Sequence, residues 1–128
     1  MDYVARIFQA VIEGNFAEVK RLLKISPNLV TAQDYYHNPP LHHAPSPEIA
    51  QLLIQYGANV NARGWMNNTA LHEAAMKNRP EVARVLIANG ANVNALRDGD
   101  ISPLNWAKSL SMAQLLLENG AEVSHQDI

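Results

Sequence analysis

The chain has 128 residues, of which 48% are apolar and 17% charged, with a formal net charge of −2. That length and apolar content suit a single domain with a core of its own and exclude a disordered chain. The weak acidic balance gives no clustered basic surface for nucleic acid or an anionic membrane, and the lack of cysteine excludes disulfides and thiolate metal sites while fitting a reducing compartment.

The opening stretch MDYVARIFQAVIEGNF is broken by Asp2, Arg6 and Glu13. It matches neither a secretory leader nor a spanning helix, so a cytoplasmic location is the default expectation. Ile7 to Ile12 predicts a first helix, Gly14-Asn15 a turn, and Phe16 to Leu23 a second helix with Lys20, Arg21 and Lys24 on its solvent side. Ser26-Pro27 then stops that helix, because proline offers no amide to continue it.

Further along, LLIQYGANVNA at 52–62 returns as VLIANGANVNA at 85–95 and, worn down, as LLLENGAEVSH at 115–125. The pivot glycines Gly57, Gly90 and Gly120 lie 33 and 30 residues apart. Such a period predicts a stack of like units, each too small to bury its own apolar face, and moves function from a pocket to a surface. In the middle unit Thr69 to Lys77 opens a short helix whose alanines permit close helix packing. Pro80 and Glu81 suit the first turn of the next helix, where an amide is unpaired and the dipole favours an acid. Val82, Val85, Leu86 and Ile87 form its apolar face, and Gly90 takes the left-handed position that ends it.

The order T-P/A-L-H-x-A, turn, E-V/I-A-x-x-L-I, G-A-N-V-N-A resembles the ankyrin repeat, over essentially the whole chain. The resemblance implies an all-α solenoid of stacked helix-turn-helix units with projecting hairpin-like loops. It divides the chain into an N-terminal capping unit at 1–33, a shortened repeat at 34–63, a full repeat at 64–96 and a shortened C-terminal repeat at 97–128. In the family pattern the hydroxyl residue and histidine fix the turn into the first helix. Here Pro39-Pro40-Leu41-His42 lacks the hydroxyl, Thr69-Ala70-Leu71-His72 lacks the proline and Ser102-Pro103-Leu104-Asn105 lacks the histidine, so each turn is expected to be weaker than the family's.

From the motif leucine to the residue opening the second helix there are ten positions in the middle repeat (Leu71 to Glu81), but seven in the outer two (Leu41 to Glu48, Leu104 to Ser111). Three residues are nearly a helical turn, so the outer first helices or their turns are expected to be shorter by about 4–5 Å. Ser46 with Pro47 supplies the start of one following helix, and Ser109 or Ser111 that of the other. The shortening is either drift in a tolerant loop or a step in the groove that a partner uses. At the C-terminal end Met112, Leu115, Leu116 and Leu117 are as apolar as an interior helix. This predicts cover by the tail at 123–128, by a partner, or by a second copy in a homodimer; otherwise a monomer is expected.

The resemblance implies that another protein binds at loop tips and on the exposed side of the first helices. The tips are Tyr35, Tyr36 and Asn38; Trp65, Met66 and Asn68; and Asp98, Gly99 and Ile101. The groove positions are His43, Glu73, Met76, Lys77 and Trp106. Four of the chain's eight aromatic residues fall on these positions, and such residues are enriched in binding hot spots. The competing expectation is that Tyr35, Tyr36 and Trp65 brace neighbouring loops and that Trp106 fills the space left by a short helix.

No metal or cofactor is expected, since His42 and His72 have a motif role, adjacent His42 and His43 diverge on a helix, and His125 is expected in solvent. No cysteine nucleophile, G-x-S-x-G, phosphate-binding glycine loop or H-E-x-x-H is present, so no catalysis is expected. Near the aromatic tips only Arg63 is basic, which speaks against nucleic acid. The expected function is a non-enzymatic protein-binding module, either an adaptor or an inhibitor of the immunity type that blocks a toxin or enzyme.

Overall fold

The computed structural model describes residues 2–123. Within them six α-helices follow in order: α1 (Tyr3–Ile12), α2 (Phe16–Ile25), α3 (Pro47–Gln55), α4 (Ala70–Met76), α5 (Pro80–Ala88) and α6 (Leu110–Glu118). They form two layers. The first runs from α1 through a 3₁₀ turn at Pro40–His43 to α4 and a 3₁₀ turn at Leu104–Trp106, each packing on the next. The second runs α2, α3, α5, α6 in the same way, giving an all-α solenoid. Between the layers Ile7, Val11, Leu22, Leu23, Ile49, Leu53, Leu71, Leu86, Met112 and Leu116 are fully buried in one continuous cluster. Each of these side chains contributes about 1.5–3 kcal/mol by leaving water, and no unit buries its share without a neighbour.

The helix starts follow short polar side chains. Asp2 accepts a bond from the Ala5 amide at 3.0 Å, so α1 begins at Tyr3, four residues before the expected Ile7. Asn15 caps α2, Ser46 with Pro47 starts α3, and Ser109 rather than Ser111 caps α6 through the Met112 amide at 3.1 Å. In the outer repeats the first helix has contracted to a single 3₁₀ turn, against the seven-residue α4. The end of α4 therefore projects between them. It is pinned on one side by Arg79 donating to the Ala44 carbonyl at 3.1 Å and on the other by Ser109 donating to Asn78 Oδ1 at 2.9 Å.

At the C-terminal end Met112, Leu115 and Leu116 turn into the stack, and the exposed apolar side chains of α6 are Leu110 and Leu117. The apolar end is narrower than its sequence suggests because three of its four expected members face α5. Cover by residues 124–128 and the exposure of His125 lie outside the described residues.

The motif histidines join the units. In the middle repeat the Thr69 amide donates to His72 Nδ1 and the His72 amide donates to Thr69 Oγ1, a reciprocal cap. His72 Nε2 then donates to the Ile101 carbonyl of the next loop at 2.8 Å, just as His42 Nε2 donates to the Asn68 carbonyl at 2.9 Å. Asn105 keeps the capping half, since its Oδ1 accepts from the Ser102 amide at 2.8 Å. The weaker turn expected there is thus not observed as a lost cap. The missing hydroxyl in the first repeat does have a consequence. Pro39 supplies neither an amide nor a hydroxyl, and His42 Nδ1 is buried without a partner.

Burial pushes both histidines below their ordinary value, His72 to about 4, with the Ile101 carbonyl opposing the shift and the Arg63 and Arg97 charges adding to it. The unfolded chain holds a proton at His72 up to a pH of about 6.5, so between about 4 and 6.5 the unfolded state binds more protons than the native one. Stability is complete above that window and falls as pH drops through it. Urea unfolding is expected to lose about 2 kcal/mol between pH 7 and pH 5, and His72→Asn to flatten that slope. At Pro39, whose φ of −76° and ψ of 167° suit a threonine, Pro39→Thr is expected to exceed Pro39→Ala by about 1 kcal/mol in the same measurement.

Candidate functional site

Three loops project from the stack, each closed by one amide bonding the carbonyl four residues on: Asp34 to Asn38 at 3.0 Å, Gly64 to Asn68 at 2.8 Å, and Arg97 to Ile101 at 2.9 Å. The tips reverse with residues in the left-handed region, namely His37 at φ 65°, Met66 at 53° with Asn67 at 62°, and Gly99 at 88° with Asp100 at 58°. In the second and third tips the positive φ values are paired, as a tight two-residue reversal requires.

The first two tips are bonded into one edge. Asn38 Oδ1 accepts from the Trp65 amide at 2.9 Å, which sets Trp65 beside the first tip. The Tyr36 and Trp65 rings then meet edge to face with centroids 5.4 Å apart, and Tyr35 meets Tyr36 likewise at 5.2 Å. Even so, Tyr35 is 90% exposed, Tyr36 51%, Trp65 53% and neighbouring Met66 43%. The rings brace one another, as the bracing expectation has it, and remain in water.

Gly64 makes this possible. A Cβ at this residue would fall on Asn38 Oδ1 and crowd the Asn38 backbone. At the next junction Arg97 holds the equivalent position, and the bond is not repeated. The Asp98 amide goes instead to the Met66 carbonyl at 2.9 Å, Asn67 donates to Asp98 Oδ1 at 2.8 Å, and Asn68 Oδ1 is buried without a partner.

Several residues expected to be free are used by the fold. Asn38 and Asn68 are buried, because the same amides that end each tip also join it to its neighbours. Glu73 is buried as well, accepting from Asn68 Nδ2 at 2.9 Å with Lys77 Nζ 3.7 Å away. His43 Nε2 lies 2.7 Å from Asp34 Oδ2, with its ring edge-on to Phe8. Burial pushes the Asp34 carboxyl up, but bonds from His43 and from the Asn38 and Tyr36 amides outweigh it and hold the group below its ordinary value. Trp106 is half-buried, edge-on to His72 with the Arg97 guanidinium 4.4 Å from its ring centroid, so it fills space beside the short turn. Met76 and Ile101 are half-buried, while Lys77, Asp98 and Gly99 are exposed. Among the described residues no group of three or more His, Cys, Asp or Glu is placed to hold a metal, and no helix is long and apolar enough to cross a membrane.

Behind the tips the repeated asparagines act as staples. Asn61 donates to the Gly90 carbonyl at 3.0 Å and accepts from the Asn92 amide at 2.8 Å; Asn94 does the same with Gly120 and Glu122 at 3.0 and 2.8 Å. At the first junction Thr31 bonds back within its own turn, to the Asn28 carbonyl. A cleft of about 170 Å³ opens there, lined by Val30, Thr31, Pro39, Leu41, Ala58 and Arg63 among others. Sequence reasoning missed the structural parts of this edge, Asp34, Gly64 and Arg97. Their common position at the base of each tip was visible in the alignment, but their partners lie some 30 residues away.

Comparison with known proteins gives a consistent result. The family model described as "Ankyrin repeats (3 copies)" matches residues 62–127, and the model described as "Ankyrin repeat" matches residues 36–65. Among curated proteins, the chain is 38% identical over 73 residues to E3 ubiquitin-protein ligase XBAT33 of Arabidopsis thaliana, covering 54% of this chain and 14% of that protein. It is 37% identical over 65 residues to serine/threonine-protein kinase VIK of the same plant, covering 48% and 15%. To the 85/88 kDa calcium-independent phospholipase A2 of Mus musculus it is 36% identical over 59 residues, covering 45% and 7%. The chain thus spans no more than 15% of the length of these relatives.

Gly64→Ala tests whether the first two tips are one unit. The added methyl displaces Asn38 Oδ1, and the loss is expected to be about 1–3 kcal/mol, the cost of leaving a buried amide oxygen unpaired. Near-ultraviolet circular dichroism should lose the coupled Tyr36 and Trp65 signal in the same variant. A retained signal with unchanged stability would show that the tips are independent.

Proposed function

The chain belongs to the ankyrin-repeat family, and on that premise we propose that it is a non-enzymatic module that binds one partner protein through the edge formed by its first two loop tips. Ankyrin repeats are protein interaction modules. The observation that carries the reading for this chain is the row Tyr35, Tyr36 and Trp65, three exposed rings held in a fixed arrangement with Met66 beside them. Rigid aromatic side chains bring large contact area at low entropic cost, and an exposed apolar row braced by its own contacts marks an interaction site.

The units of this reading are 1–33, 34–63, 64–96 and 97–128. The groove positions His43, Met76, Lys77 and Trp106 border the partner, while Asn38, Asn68 and Glu73 shape the edge from within. Because the projecting end of α4 stands between two shortened turns, it offers the partner a step against which to register. A cytoplasmic location accords with the cysteine-free sequence. Nucleic acid suits the edge poorly, as Arg63, the basic residue beside the rings, already donates to the Asn67 and Leu96 carbonyls at 2.9 and 2.8 Å.

Within protein binding, blocking a partner is favoured over bridging two. The exposed aromatic residues of the tips gather on one edge, which suits one occupant at a time, and an inhibitor of the immunity type works in that way. Affinity capture with wild type and with the Tyr35→Ala, Tyr36→Ala, Trp65→Ala variant tests the site. The variant is expected to stay folded, with a stability loss of about 1–3 kcal/mol from the lost ring pairs, and to lose its partner at least about tenfold. A folded variant that retains every partner would remove this edge from consideration.

A further inference from the structure

Arg97 is held firmly and served poorly. Its amide closes the third loop on the Ile101 carbonyl at 2.9 Å, and its guanidinium stacks 4.4 Å from the Trp106 ring centroid, which in turn rests edge-on against the buried His72. A guanidinium carries five donors in a rigid fork. Yet its Nη2 donates to the Met66 sulfur at 3.0 Å, and its Nε is buried with no acceptor at all. A thioether is a weak acceptor, so one edge of the fork is desolvated without return. The nearby carboxylate of Asp98 accepts from Asn67 at 2.8 Å.

The cover over this edge is movable. Met66 is 43% exposed, and its unbranched side chain has three rotatable bonds and no directional bond stronger than the one to Arg97. Its backbone sits at φ 53° in the second tip, directly beside Trp65. Swinging the sulfur away frees Nη2, which with Nε forms the pair of donors that matches a carboxylate's two oxygens. Trp106 keeps the fork in place meanwhile, so little order has to be gained on binding.

We propose that Arg97 is the anchor for a carboxylate on the bound partner, an acidic residue flanked by an apolar one, with Met66 as the cover that the carboxylate displaces. This rests on the reading that the loop tips bind a partner, and it names the chemistry that partner brings. The carboxylate seats on Arg97 while its apolar neighbour lies against Trp65. The one Arg63 guanidinium nearby adds positive field to the same stretch between the second and third tips.

The test uses 3-phenylpropanoate, which couples a carboxylate to an apolar ring, and its neutral counterpart 3-phenylpropanamide, titrated into the whole protein and followed by NMR. The carboxylate is expected to move the Arg97 Nε–H, Trp106 indole and Met66 methyl signals saturably, and the amide to leave them in place. Arg97→Lys keeps the charge but not the fork and is expected to weaken binding about tenfold. Met66→Ala removes the cover and is expected to tighten it by roughly threefold. Equal shifts from the amide, no saturable shift from the carboxylate, unchanged binding in folded Arg97→Lys, or weaker binding in folded Met66→Ala would each overturn the proposal. The aromatic edge would be untouched by those outcomes, since it is judged by partner capture with the tyrosine and tryptophan variant.

Discussion

No unit of this protein can bury its apolar face alone, and the structure depends on the bonds that neighbours supply across each junction. The clearest is the histidine bridge, in which His42 and His72 each reach the next loop's carbonyl with Nε2, and His72 also caps α4 with Nδ1. An imidazole suits this because it is an acceptor and a donor at opposite ends of a rigid ring. Only the neutral form serves both bonds, so burial does two things at once: it holds the ring in that form and makes the stack sensitive to acid. Asn61 and Asn94 repeat the logic at the loop bases, where one amide both donates and accepts.

The junctions are built from one plan, and each departs from it in a way that shapes the surface. At the first, Thr31 stands where a staple asparagine stands later, leaving the small cleft beside Pro39. Between the first and second tips Gly64 lets Asn38 reach the Trp65 amide, and the aromatic row follows from that bond. Between the second and third, Arg97 occupies the glycine position, and its side chain turns instead to Trp106 and Met66. The aromatic edge and the underserved guanidinium are thus two results of one substitution pattern at the base of the tips. Both use backbone in the left-handed region at non-glycine residues, a local cost of the kind found where side chains must be aimed.

The repeat period, the helix ends set by Pro47, Pro80 and Gly90, and the shortened outer repeats were legible because each is local: a proline or glycine acts on its own turn, and a three-residue deletion removes about one turn of helix. The same was true of the aromatic tips, whose exposure follows from their place before each motif leucine. The sequence misled at Asn38, Asn68 and Glu73. A polar residue in a loop reads as solvent-facing, whereas these three are buried, Asn38 accepting from the Trp65 amide and Asn68 donating to Glu73. It also misled at Tyr3 to Arg6, where the capping strength of Asp2 outweighs four residues of weak apolar pattern.

By itself, then, the sequence determined the architecture, because stacking like units is the only way a 30-odd-residue apolar face can leave water, and that requirement is written in composition and period. The tertiary structure alone decided which of the free-looking positions are free. That choice rests on hydrogen bonds between residues about 30 apart, such as Asn38 with Trp65 and Met66 with Arg97, and no local pattern specifies whether such partners meet. A single Cβ, absent at Gly64 and present at Arg97, separates a paired aromatic edge from a guanidinium left short of acceptors.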